Sequence, residues 1–77
     1  MREVVTSNLE RELGEDKLRM VILAFRFLFL ADPKERHFSL KFCNSDEGRG
    51  LEVWVMLDEY PPQKGGLTAT FLLPGDY

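Results

Sequence analysis

A single histidine and a single cysteine are the side chains in this sequence best suited to acid–base or nucleophilic work near neutral pH. His37 and Cys43 sit at the two ends of one apolar-alternating run, His37-Phe38-Ser39-Leu40-Lys41-Phe42-Cys43. A working pair needs a base within hydrogen-bond reach of the nucleophile and a third group to orient it, and no third group is evident. His37, between Arg36 and Phe38, reads as an edge residue with a polar tip. Cys43 reads as a small packed hydrophobe. The expectation is no catalytic role for either.

Other candidates for chemistry are weaker. The carboxylate pairs Asp46-Glu47 and Asp58-Glu59 could hold a divalent cation only with more oxygen ligands at alternating positions, and Asn44-Ser45-Asp46-Glu47-Gly48 lacks the spacing and the terminal glutamate of an EF-hand loop. They read as solvated turns. Gly48-Arg49-Gly50 and Lys64-Gly65-Gly66 lack the glycine spacing and the following helix of a phosphate cradle, and fit hairpin turns instead. With one cysteine and one histidine there is neither an internal disulfide nor a zinc ligand set. No metal and no cofactor are expected.

The elements that must position any site follow from periodicity. His37 to Phe42 alternates, Asn44 to Gly50 is a polar glycine-bearing loop, and Leu51 to Asp58 alternates again, which makes a hairpin. Tyr60-Pro61-Pro62 ends that strand, Lys64-Gly65-Gly66 turns the chain, and Leu67 to Leu73 forms a last strand closed by Pro74-Gly75. Phe38, Leu40, Phe42, Val53, Val55, Ala69, Phe71 and Leu73 should line the core face. Ser7 with Glu10 looks like a helix N-cap and capping box, Leu9 and Leu13 share a face, and Gly14 can end that helix ahead of Glu15-Asp16.

Residues 17 to 31 admit two readings. As a helix, Leu18, Val21, Ile22, Phe25 and Phe29 share a face while Arg19, Leu23, Arg26 and Leu30 form a mixed stripe. As a strand, Phe25, Phe27 and Phe29 point one way, with Asp32-Pro33-Lys34-Glu35 as a type I turn behind them, and this reading is slightly preferred. The fold class is α+β: one domain over 1–77, an N-terminal helix packed on an antiparallel meander of three strands, or four if 17 to 31 is extended.

The run Leu9 to Leu13, the strands His37 to Phe42 and Leu51 to Leu57, and then Tyr60-Pro61-Pro62 together resemble an RWD domain, a protein-interaction fold, without that family's later proline and C-terminal helix. Gly48 to Leu51 with Gly66 to Pro74 is similar to the end of a histidine-kinase ATPase domain, in a chain too short for that site and without its asparagine box. Neither likeness assigns a function.

Composition then limits the partners. Ten basic and thirteen acidic residues in 77 give a net charge of −3, with the basic residues scattered. That disfavours nucleic acid, whose binding needs a positive surface. No apolar stretch reaches the ~20 residues of a membrane span, and no secretory signal is evident, so a cytoplasmic location without membrane attachment is expected. Leu18 to Ala31 is nonetheless apolar nearly all round, more than one short helix can cover. A partner chain, with a homodimer the simplest case, should bury the excess. In the strand Leu51 to Asp58, Trp54 and Met56 project away from the core, and Leu28, Leu30 and Leu72 would widen that patch if 17 to 31 is extended. The functional reading is a small protein-binding module, a regulator, adaptor or inhibitor and not an enzyme. The alternative is a structural subunit of a larger assembly or, with less support, a nucleic-acid-binding protein.

Overall fold

The computed structural model describes residues 2–44, 49–59 and 66–77, and of 42–44 and 49 only the backbone. Strand β1 (Arg2–Val5) leads into helix α1 (Ser7–Ala31), followed by β2 (His37–Asn44), β3 (Arg49–Glu59), β4 (Leu67–Leu72) and a 3-10 turn at Pro74–Asp76. The class is α+β, with one long helix and a four-stranded mixed sheet in the order β1-β4-β3-β2.

The antiparallel meander of three strands, β2 to β4, is present with the expected alternation. Its fourth strand is not 17 to 31. It is β1, which pairs parallel to β4 through Glu3 opposite Ala69 and Val5 opposite Phe71. The sheet is therefore mixed, and the antiparallel four-stranded version is corrected. Four residues with no clear alternation give little sequence signal, and β1 is held by pairing with a strand more than sixty residues away. Thr6 continues that ladder, its N–H donating to the Phe71 carbonyl at 3.0 Å.

Residues 17 to 31 are helical. An extended segment of that length would run to about 50 Å at ~3.3 Å per residue, far beyond its neighbours, whereas a helix returns the chain across the sheet from the β1 edge to the β2 edge. Phe25 is wholly buried and Phe29 partly so, while Phe27 is 74% exposed, which is helical and not alternating behaviour. Asp32-Pro33-Lys34-Glu35 does turn, with the Glu35 N–H donating to the Asp32 carbonyl at 3.2 Å, but it joins α1 to β2 instead of two strands.

At its start the helix is capped one residue earlier than expected. Thr6, extended at φ −70° and ψ 150°, is the N-cap, and its Oγ1 accepts from the Leu9 N–H at 3.4 Å. Ladder pairing through Thr6 keeps the chain extended up to that residue, so Ser7 already lies inside the helix. Gly14 breaks α1 as foreseen. Its φ of 76° and ψ of 170° are not helical, and they divide α1 into a short first arm and a longer second one.

One face of the sheet and one side of both arms form the core. Leu9, Leu13, Val21 and Phe25 of α1 meet Phe38, Val53, Val55, Leu57, Ala69 and Phe71 of the strands. Phe25 is its hub, with edge-on ring contacts to Phe38 at 5.6 Å and Phe71 at 5.3 Å and a tilted contact to Phe29 at 5.9 Å. Of the anticipated core residues, Leu40 and Leu73 are only partly buried at its margin, and the side chain of Phe42 lies outside the described residues.

Candidate functional site

Helix α1 covers one face of the sheet, so each strand sends alternate residues to an open face on the other side. The pairing Ser39–Trp54–Leu72 and the next rung, His37–Met56–Thr70, place Trp54, Met56 and Leu72 there together. This grouping agrees with the alternation of the sequence. Leu72 is 5% exposed and Trp54 and Met56 are partly buried, so the patch is small. Tyr77, just beyond the 3-10 turn, sets its ring 6.0 Å from that of Trp54, and His37 closes the other side at 5.6 Å. The indole N–H donates to Glu52 Oε1 at 3.0 Å, and Ser39 Oγ donates to the same oxygen at 2.7 Å. Donation from Ser39 and then from Trp54 holds the Glu52 carboxyl below its ordinary pKa.

Leu28 and Leu30 do not join that patch. They lie on α1, on the far side of the sheet from Trp54, and the widened surface that the extended reading called for is corrected accordingly. Instead they border a second apolar surface along the outer side of α1. Met20 (69% exposed), Leu23 (53%), Phe27 (74%) and Leu30 (77%) follow one another at spacings of three, four and three. At 3.6 residues per turn these four share one stripe. Exposed Ala24 and Ala31 lie within it and Leu28 flanks it. Met20, Leu23 and Phe27 were not singled out as site residues, although Leu23 fell in the mixed stripe of the helical reading. The signal available for the set was this heptad spacing, obscured by the alternating phenylalanines.

One flank of the stripe is charged and self-paired. Arg19 meets Glu15 at 2.9 Å along the helix, and Arg26 reaches Glu3 of β1 at 2.8 Å. Such exposed pairs contribute little to stability, but they fix where the apolar surface ends.

A shallow depression at the other end of the molecule is lined by Asn8, Arg11, Glu12, Leu73, Gly75 and Asp76. Its polar groups serve the fold. Asp76 accepts from Asn8 Nδ2 at 2.7 Å, Thr6 Oγ1 at 2.9 Å and the Leu73 N–H at 3.2 Å, which ties the C-terminal turn to the start of α1. These donors, Asn8 foremost, draw the Asp76 carboxyl below its ordinary range. Arg11 donates to Asn8 Oδ1 at 2.9 Å.

For the remaining sequence candidates, His37 sits exposed at the start of β2 against Trp54, and the Cys43 side chain lies outside the described residues, as do Asp46-Glu47 and Lys64-Gly65. Among the described residues no group of three or more His, Cys, Asp or Glu side chains is placed to hold a metal ion. None of their helices is long and apolar enough to cross a membrane.

No protein-family model, curated protein or solved structure matches the chain. Tyr60-Pro61-Pro62, part of the likeness to an RWD domain, lies outside the described residues.

Proposed function

We propose that this chain is a small protein-binding module without catalytic activity of its own, and that the outer stripe of α1 is its principal binding surface. The observation that carries this reading is the exposure of Met20, Leu23, Phe27 and Leu30 on one helix face whose opposite side is already committed to the core. A helix that is apolar on both sides belongs in an interior, and here the second side has no cover among the described residues. Contiguous apolar area beyond a few hundred Å² on a monomer marks an interaction surface. Mixed surface charge with a net of −3 favours a protein partner over a nucleic acid. Trp54 and Met56 form a subsidiary patch, smaller because Tyr77, His37 and Glu52 already surround the indole.

The test pairs size-exclusion light scattering with binding of a hydrophobic dye, on the wild type and on Phe27→Glu. Either self-association or dye binding in the wild type, diminished in the variant, is expected. A monomer of about 9 kDa, rounding the chain's 8.9 kDa, that binds no dye refutes the reading.

A further inference from the structure

We infer that the occupant of the outer α1 stripe is a second copy of this chain, docked antiparallel about a two-fold axis that passes beside residue 25. This rests on the stripe being a protein-binding surface and goes further by naming what covers it and in which register.

The spacing itself is self-complementary. Met20, Leu23, Phe27 and Leu30 are symmetric about position 25, so reversing the helix maps Met20 onto Leu30 and Leu23 onto Phe27. An antiparallel pair would stack two kinds of layer, Leu23 of one copy on Phe27 of the other, and Met20 on Leu30, each occurring twice. Ala24 and Ala31 keep the seam shallow enough for the two helices to approach.

In a parallel pair the two helix dipoles would run side by side in the same direction, whereas the antiparallel arrangement sets them in opposition, which favours it.

The area suffices for a modest but specific contact. Taking about 200 Å² for a fully exposed large side chain, the exposed fractions of Met20, Leu23, Phe27 and Leu30 leave roughly 550 Å² per chain. Two copies would bury at most about 1,100 Å², just above the roughly 1,000 Å² that a specific interface needs. Self-association should therefore depend on concentration.

The experiment uses the full chain. Light scattering at micromolar concentration should give about 18 kDa, twice the 8.9 kDa chain, and Phe27→Glu should halve it while circular dichroism stays unchanged. Leu30→Glu serves as the second variant should the first not fold. Orientation is read in a Cys43→Ser background by disulfide formation. A mixture of Met20→Cys and Leu30→Cys chains should cross-link, and Met20→Cys alone should not. In the antiparallel pair the two copies of position 20 are ten residues, about 15 Å, apart along the axis, beyond the ~7 Å reach of a disulfide. Cross-linking of Met20→Cys with itself overturns the orientation. A wild-type dimer untouched by either glutamate variant overturns the surface and points to the edge of the sheet at β2, unpaired among the described residues. A monomer whose dye binding is lost in Phe27→Glu overturns the second copy while leaving the protein-binding reading intact, and a monomer without dye binding removes both.

Discussion

Replacing Gly14 by alanine tests whether the break in α1 is imposed by the fold. In a continuous helix, Leu13 and Leu9 lie seven and eleven residues before Met20, which at 100° per residue brings both within about 20° of it. An unbroken α1 would thus turn Leu9 and Leu13 outward, onto the stripe of Met20, Leu23, Phe27 and Leu30. The break instead rotates them into the core, where Leu9 is 0% and Leu13 6% exposed. Exposing two buried leucines costs about 3–6 kcal/mol. Alanine at φ 76° and ψ 170°, a region almost reserved for glycine, costs about 1–3 kcal/mol. Nothing lies within 4 Å of the added Cβ, so strain is the whole penalty. Holding the strained break is the cheaper outcome. The lower unfolded-state entropy of alanine returns roughly 0.4–1 kcal/mol, leaving a net loss of about 1–2 kcal/mol. For a domain of this size that is a fall in Tm of roughly 5–15 °C. Thermal melts and urea titrations followed by circular dichroism would measure it, with a synthetic chain carrying D-alanine at position 14, whose natural φ is positive, as the control that should not be destabilised. An unchanged or raised Tm for L-alanine, with a stronger helical signal, would refute the reasoning by showing that the helix straightens at no cost.

Phe25→Ala should cost about 3–5 kcal/mol in urea unfolding and leave little folded protein, whereas Phe27→Ala should stay within about 0.5 kcal/mol under conditions where the chain is monomeric. Equal losses would mean that both rings face the core, as an extended segment requires. Trp54→Ala should lower stability by roughly 1–2 kcal/mol through the lost ring contacts and the bond to Glu52, and leave the light-scattering mass unchanged. A change in mass would move the interface to the open sheet face. Asp76→Asn should weaken the tie between the C-terminal turn and α1 only where the carboxylate is ionised. The folded-state pKa of Asp76 lies below its unfolded value near 3.8, so its contribution is present above that value and is lost as pH falls through the folded pKa. The Tm gap between wild type and variant should therefore be constant near neutrality and close on acidification, and a gap that persists in strong acid would refute this.

The meander was legible because each of its strands alternates and is bounded by turn residues. Val53 and Val55 point inward and Trp54 between them does not, as a period of two requires. What local pattern could not supply was β1, held by a parallel pairing from one end of the chain to the other. The helical identity of 17 to 31 was hidden for a related reason. Phe25, Phe27 and Phe29 satisfy a period of two, and only Phe25 and Phe29 satisfy the helical one. Which signal wins depends on the distance the segment must bridge across the sheet, a tertiary fact.

The candidate surface shows the same division between amount and arrangement. An excess of apolar residues in Leu18 to Ala31 is visible in composition, and it remains exposed on the folded chain. Its geometry depends on the helix. The extended reading gathered Leu28, Leu30 and Trp54 on one side, and the helix puts them on opposite sides of the sheet. The positions Leu9, Leu13, Asp16, Met20, Leu23, Phe27 and Leu30 form an unbroken series of four- and three-residue steps, the pattern of a single coiled-coil seam. Gly14 divides that series between two uses. Its left-handed φ sends the two leucines before it into the monomer core and leaves the four apolar residues after Asp16 facing out. The residue that completes the core therefore also sets how much of the seam is left for another chain.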